Sequence, residues 1–92
     1  MNIQQLDDGF KGEFYIVRDG ETLAKMTYVW AGESRFIIDH TEVSDALRGQ
    51  GAGNLMLAQA VAFAREKGVK ILPLCPFAKS VFDKTPDYSD LL

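Results

Sequence analysis

The segment from residue 35 to residue 75 restricts the fold of this chain more than any other. It combines a strand over Arg35–Val43, a glycine-rich turn, a helix over residues 51–67 and a short apolar strand over residues 69–75. The apolar stripe of the helix consists of Leu57, Ala60, Val61 and Ala64, and Gly68 ends it. Two strands joined by a helix in this way predict one parallel, right-handed crossover.

The residues before this segment predict an antiparallel hairpin. Residues 12–18 and 21–30 are rich in aromatic and β-branched side chains. Asp19-Gly20 between them is a sequence typical of a two-residue hairpin turn. The sheet is therefore expected to be mixed and mostly antiparallel, with the crossover joining two of its strands.

The last part of the chain predicts a short helix and a docked tail. Residues 76–83 suit a helix that packs inward through Phe77, Val81 and Phe82. Residues 86–92 are acidic and are expected to be held partly through Tyr88. The predicted fold class is α/β (α+β). Residues 1–92 are expected to form a single domain, because a chain of this length cannot build two cores.

Composition excludes several classes of function. A formal net charge of −3 without clustered basic residues argues against nucleic-acid binding. The longest apolar run, over residues 55–64, is far shorter than the ~20 residues that a membrane span requires. One cysteine and no secretory signal predict a cytoplasmic protein without an internal disulfide. One histidine and one cysteine lack a third ligand at a recognised spacing, so no metal is expected.

The crossover is expected to bring three polar regions to one edge of the sheet: residues 40–43, residues 48–53 and Cys75. Strict alternation along the strand at 35–43 would place its side chains on two faces. One face is expected to carry Phe36, Ile38, His40 and Glu42, and the other Ile37, Asp39, Thr41 and Val43. An active site would lie where this strand becomes polar.

The turn between the strand and the helix has the composition of an anion-binding loop. Leu47-Arg48-Gly49-Gln50-Gly51-Ala52-Gly53 contains three glycines at alternate positions. The first amides of a helix lack internal partners and carry partial positive charge, so a pyrophosphate would satisfy both deficits, and Arg48 could add a charged contact. A flexible loop without a ligand is the alternative. Asn54 and Leu55 after Gly53 exclude a nucleoside-triphosphate loop, and the glycine spacing differs from that of a dinucleotide fold.

Two motifs then point to a known family. Arg48-Gly49-Gln50-Gly51-Ala52-Gly53 resembles the Arg/Gln-x-x-Gly-x-Gly/Ala motif of the Gcn5-related N-acetyltransferases. Asp39-His40-Thr41 and Pro73-Leu74-Cys75-Pro76-Phe77-Ala78-Lys79 resemble the small, single-domain, YjdJ-type branch of that superfamily. The resemblance covers residues 10–92. It implies an acetyl-CoA-dependent N-acetyltransferase that uses acetyl-CoA or coenzyme A as co-substrate.

The resemblance also implies where the coenzyme binds. The backbone amides that would hold its pyrophosphate are those of Arg48, Gly49, Gln50, Gly51, Ala52 and Gly53. Val43 would bond the pantetheine arm, which would lie between two strands that splay apart. Pro73 suits such a gap because proline removes a donor from the strand ladder, but an early end of the strand explains it equally well.

Three side chains near this edge are candidates for catalysis: Cys75, His40 and Glu42. Cys75 precedes Pro76, so the thiol is expected at a helix amino terminus that stabilises a thiolate, with Lys79 one turn away. The thiol could accept the acyl group or position the acceptor, or it could be a buried structural cysteine. His40 suits a general base or an orienting partner of the thiol, with Glu42 beside it. A hydrogen-bonded structural histidine is the alternative.

The acceptor is expected to be an unidentified amine or peptide. Fuller members of the superfamily carry an extra amino-terminal strand and helices that wall the acceptor pocket, and this chain is too short for them. The acceptor side should therefore be open or completed by a second subunit, in a monomer or a weak homodimer. Two other functions stay open: a non-catalytic acyl-CoA sensor, and redox sensing by Cys75.

Overall fold

The computed structural model describes residues 2–92 and contains one five-stranded sheet with helices packed on one face. In chain order the elements are β1 (Ile3–Asp7), β2 (Lys11–Arg18), β3 (Glu21–Trp30), β4 (Arg35–Val43), α1 (Ala52–Lys67), β5 (Lys70–Pro73) and α2 (Pro76–Lys84). A 3₁₀ turn, Asp45–Leu47, follows β4, and a 3₁₀ helix, Pro86–Leu91, follows α2. Neighbouring strands pair in the order β1 to β5, antiparallel except for the parallel pair β4–β5. The mixed, mostly antiparallel sheet with its crossover is confirmed.

Local turn chemistry fixes the hairpin and the long helix where the sequence predicts them. Asp19 and Gly20 join β2 to β3 with φ angles of 53° and 78°, as the tight hairpin turn requires. Gly51 and Gly68 lie at the two ends of α1, with φ angles of 72° and 71°. Glycine adopts this left-handed conformation without the steric cost that other residues meet.

The core lies between the sheet and the helices. Its largest fully buried side chains are Met26, Tyr28, Phe36, Ile38, Leu47, Met56, Leu57 and Ile71. In α2, Ala78 and Phe82 are buried, and Phe77 and Val81 are partly buried against the core. The tail is docked as expected: Tyr88 packs on Phe82 with ring centroids 5.7 Å apart, and Leu91 is buried. Every helix within residues 2–92 is too short or too polar to cross a membrane.

A β-bulge interrupts the pairing between β3 and β4. Tyr28 pairs with Ile38, but the preceding residue Thr27 pairs with His40. Asp39 is therefore an extra residue in β4, and its carboxylate accepts a hydrogen bond from the Thr27 hydroxyl at 2.6 Å. An extra residue of this kind reverses the alternation of the side chains that follow it.

The reversal changes which side chains face the helices. Thr41 pairs with the fully buried Met26 and so lies on the helix-covered face. His40 and Glu42 lie on the opposite face, which no element within residues 2–92 covers. The prediction that His40 and Glu42 share a face with Phe36 is therefore wrong, because strict alternation fails at residue 39.

β1 is a strand that the sequence pattern does not reveal. It pairs antiparallel with β2, and four of its five residues are exposed, so it lacks an apolar alternation. Asp7 anchors it by accepting hydrogen bonds from the Tyr28 hydroxyl at 2.6 Å and the Trp30 indole at 2.9 Å. Gly12 leaves room for this contact, since a Cβ there would lie 2.5 Å from the Tyr28 ring. The expectation that this chain is too short for an additional amino-terminal strand is wrong.

Candidate functional site

β4 and β5 separate at the edge where the sequence predicts a site. Their parallel pairing ends at Ile38 and Pro73. The amides of Leu74 and Cys75 both donate to the Ile38 carbonyl at 3.0 Å, and the chain then enters α2. β4 continues for five more residues without a strand on this side in the described part of the chain. Pro73 thus ends its strand at the point where the two strands diverge.

The thiol of Cys75 lies at the start of α2 and is buried, with 4% of the residue exposed. Its sulfur accepts a hydrogen bond from the Ala78 amide at 3.3 Å and lies 3.3 Å from the Thr41 hydroxyl oxygen. The Lys79 ammonium lies 3.5 Å from the Asp83 carboxylate, one turn further along the helix. Thr41, which no sequence pattern indicated, therefore contacts the thiol in place of the expected Lys79.

His40 and Glu42 form a hydrogen-bonded pair on the uncovered face of the sheet. Oε1 of Glu42 accepts from Nε2 of His40 at 2.9 Å, and both side chains are more than half exposed. This hydrogen bond and the charge of His40 hold the pKa of the Glu42 carboxyl below its ordinary value. Since Thr41 between them faces the thiol, the structure does not bring His40 to Cys75. The orienting role expected for His40 has no counterpart in this geometry.

The glycines of the turn before α1 serve two different purposes. Gly49 and Gly51 have φ angles of 77° and 72°, in the left-handed region that favours glycine. Gly53 has a helical conformation, but a Cβ there would lie 2.6 Å from the ring of Phe77. The absence of a side chain at Gly53 lets the amino termini of α1 and α2 pack against each other. The glycine turn, the end of β4 and Cys75 are thus close together, as predicted.

Part of the turn presents free amides where α1 begins. The amides of Arg48 and Gln50 are occupied, because they donate to the carbonyls of Asp45 at 3.1 Å and Leu47 at 3.2 Å. The guanidinium of Arg48 also contacts the Asp45 carboxylate at 2.8 Å. Among residues 48–55, the amides that donate no well-formed hydrogen bond are those of Gly49, Gly51, Ala52, Gly53 and Asn54. The amides of Arg48 and Gln50 were expected to be free donors but are not. The amide of Asn54 was not expected and is free.

Val43 ends β4 beside the gap and is exposed over 42% of its surface. It pairs with Ala24 and borders a depression of about 500 Å³ together with Leu23 and Ser44. Its position suits a contact with an extended ligand that runs from the glycine turn along β4. No group of three His, Cys, Asp or Glu side chains within residues 2–92 is arranged to hold a metal ion.

Several known proteins are similar to this chain. The family model described as GCN5-related N-acetyl-transferase matches residues 13–91. A GCN5-like protein from Staphylococcus aureus, solved by NMR in solution, is 38% identical over 98% of this chain and 85% of its own, with a TM-score of 0.77. A search of curated proteins found no match.

Two more distant structures show the same fold. The aminoglycoside N-acetyltransferase AAC(6')-Iy in complex with coenzyme A has a TM-score of 0.66 at 10% identity, over 90% of this chain and 88% of its own. The ribosomal-protein-S18-alanine N-acetyltransferase of Escherichia coli has a TM-score of 0.68 at 13% identity. That alignment covers 85% of this chain and 53% of the Escherichia coli protein.

Proposed function

Because this chain belongs to the GCN5-related N-acetyltransferase family, we propose that it binds acetyl-CoA and transfers the acetyl group to an amine. We propose that residues 1–92 act as one domain in this reaction. The observation that carries the proposal is the set of free amides where α1 begins. A helix amino terminus with unpaired amides attracts phosphate groups. The coenzyme A complex of the aminoglycoside acetyltransferase with a similar fold is consistent with this assignment.

The pyrophosphate of the coenzyme is held by the amides of Gly49, Gly51, Ala52, Gly53 and Asn54. Backbone donors suit this ligand because they lie close together and point along the helix axis. Arg48 and Gln50 contribute through their side chains, since their amides are already bonded. The Arg48 guanidinium first exchanges Asp45 for a phosphate oxygen, an exchange that costs little because both side chains are mostly exposed.

The pantetheine arm runs along β4 past Val43 toward the gap at Ile38. Beyond Ile38 no strand of residues 2–92 pairs with β4 on the β5 side, so this edge is free to bond an extended ligand. The thioester then lies near the gap. His40 and Glu42 border it from the uncovered face, and Cys75 borders it from the helix-covered face.

The acetyl group passes directly from the thioester to the amine. The acceptor ammonium first gives a proton to His40, which Glu42 orients. The neutral nitrogen attacks the thioester carbonyl carbon, a C–N bond forms, the C–S bond breaks, and the departing thiolate takes the second proton from nitrogen. Cys75 holds β4 and α2 together beside the gap and does not become acylated, since its sulfur is buried and already contacts Ala78 and Thr41.

Assay of acetyl-CoA against a panel of primary amines, with detection of acetylated products by mass spectrometry, tests this function. Glu42→Gln and His40→Gln should lower kcat by about 100-fold near neutral pH while coenzyme A affinity stays unchanged. Glu21→Gln is the matched control, because Glu21 is an exposed carboxylate at the hairpin end of β3. Coenzyme binding with no acetylated product across the panel would favour the sensor instead.

A further inference from the structure

The uncovered face of the sheet carries a cleft of about 580 Å³. This volume lies within the range of small-molecule sites in proteins. Strands β1 to β4 all contribute to its lining, and most of the lining is apolar. None of the coenzyme contacts proposed above uses this cleft.

The sheet register relates the cleft to the gap between β4 and β5. One row of paired residues, Leu6, Glu13 and Thr27, crosses the cleft, and the row continues to His40 on β4. Asp39, the bulged residue, lies at the β4 end of this row and lines the cleft. The residue before it, Ile38, is the last to pair with β5. The cleft therefore opens beside the strand split, on the opposite face from Cys75.

The walls and the end of the cleft differ in chemistry. Leu6 and Val29 present apolar side chains that are 57% and 40% exposed. Asp39 supplies a carboxylate whose Oδ1 is fixed by the Thr27 hydroxyl at 2.6 Å, and whose Oδ2 has no partner within residues 2–92. Glu13 and Lys11 also line the cleft, so its carboxylates outnumber its one ammonium group. Asp39 is thus an oriented anion at the end of a trough whose walls are partly apolar.

The other aspartates of the cleft are already engaged. The Asp7 carboxylate accepts from Tyr28, Trp30 and the Gly9 amide. The Asp8 carboxylate accepts from the amides of Phe10 and Lys11. Both amides bond Oδ1 of Asp8, so Asp8 and Asp39 each keep Oδ2 without a partner within residues 2–92, and of the two Asp39 lies at the β4 end of the cleft beside the strand split.

We propose that this cleft binds the acceptor, a small primary amine with an apolar alkyl or aryl body. Its ammonium group contacts Asp39 and its body lies along Leu6 and Val29. This orientation places the nitrogen beside the strand split, where the thioester of the proposed coenzyme complex ends. The assignment rests on the proposed function, because it names the substrate class of that same site. A carboxylate in place of the amine would be repelled by Asp39.

Calorimetry with phenethylamine on the protein saturated with coenzyme A tests the assignment. Val29→Lys fills the trough and repels the ammonium, and should weaken amine binding by about tenfold or more. Asp39→Asn keeps the shape and the Thr27 contact but removes the charge, and should weaken it by about fivefold. Val17→Lys is the matched control, since Val17 is 37% exposed on β2 outside the cleft, and it should bind like the wild type. Phenylacetate should bind more weakly than phenethylamine.

The outcomes separate this assignment from the proposed function. Amine affinity unchanged in both Val29→Lys and Asp39→Asn, with coenzyme affinity intact, overturns the acceptor cleft and leaves the proposed function standing. Failure to bind coenzyme A overturns the proposed function. In that case ¹⁵N-resolved NMR titration of the free protein with phenethylamine shows whether the cleft binds the amine. Shifts confined to the Leu6–Thr27 row and Asp39 support it, and shifts elsewhere or no shifts overturn it.

Discussion

The hydroxyl oxygen of Thr41 lies 3.3 Å from the sulfur of Cys75, and this contact joins β4 to the start of α2 across the gap between β4 and β5. It exists because the bulge at Asp39 turns Thr41 toward the helices. The same reversal leaves the His40–Glu42 pair on the other face of the strand. A ligand in the gap would therefore meet a buried thiol on one side and an exposed proton acceptor on the other.

Cys75→Ser tests whether the thiol takes part in a covalent step. The serine hydroxyl can accept from the Ala78 amide as the sulfur does, so α2 should keep its cap. We expect kcat for acetyl transfer to change by less than about tenfold, whereas removal of a covalent nucleophile costs orders of magnitude. Cys75→Ala, which has no cap, should lose about 1 kcal/mol of unfolding free energy. A folded, coenzyme-binding but inactive Cys75→Ser would contradict direct transfer.

Gly53→Ala tests the close packing of the two helix amino termini. The new Cβ would lie 2.6 Å from the Phe77 ring, so we expect a loss of about 1–3 kcal/mol in a urea unfolding experiment. In a Phe77→Leu background, Gly53→Ala should cost less unfolding free energy than it does in the wild type. In an unconstrained helix the same change would stabilise by about 1 kcal/mol. A stabilised Gly53→Ala would therefore show that the two termini are not in contact.

Tyr28→Phe tests the anchor of β1. The Tyr28 hydroxyl donates to Asp7 and accepts from the Gln5 side chain, and burial together with the Asp7 contact raises the pKa of Tyr28 above its usual range. We expect removal of the Tyr28 hydroxyl to cost about 1 kcal/mol of unfolding free energy. Tyr15→Phe is the control, because the Tyr15 hydroxyl makes one exposed contact of 3.3 Å with Gln4. Equal unfolding free energies for the two variants would rule out a stabilising role for the anchor.

The same anchor predicts a pH dependence. Partial burial raises the pKa of Asp7, but hydrogen bonds from Tyr28, Gly9 and Trp30 outweigh it and lower the pKa below its ordinary value. A lowered pKa in the folded state contributes stability that is complete above about pH 4 and is lost as the pH falls through the folded value. We expect the stability advantage of the wild type over Asp7→Asn to shrink between about pH 5 and pH 2. Unfolding curves of both proteins at several pH values measure it. An advantage independent of pH would contradict the anchor.

Local sequence signals were sufficient for most of the fold. The Asp19-Gly20 turn fixed the hairpin, and the glycines at 51 and 68 bounded the long helix to within one residue. Turn and cap residues act through their own backbone conformations, so these features do not depend on distant contacts. The apolar run before Cys75 likewise predicted the parallel strand next to β4.

The features that the sequence patterns did not predict depend on pairing between distant residues. The bulge at Asp39 arises from the register with β3, and an alternation of apolar and polar residues cannot reveal it. β1 is mostly exposed, and its place depends on the contact of Asp7 with Tyr28, 21 residues away. The occupied amides of Arg48 and Gln50 follow from the 3₁₀ turn before them, which the glycine motif does not encode. The sequence thus predicted that β4, the glycine turn and Cys75 come together, but not the direction in which the side chains of β4 point.

The affinity for coenzyme A of Gly51→Glu, measured by calorimetry beside Gly32→Glu, tests the anion site most directly. Both glycines have left-handed φ angles, 72° and 76°, and a Cβ at either position meets nothing within 4 Å, so the two substitutions introduce similar backbone strain. Gly51 adjoins the free amides, whereas Gly32 lies in the turn at the opposite end of β4. We predict micromolar binding for the wild type and Gly32→Glu, and none for Gly51→Glu, whose carboxylate blocks the amides and repels the phosphates. Equal affinity in the two variants would contradict a diphosphate site where α1 begins.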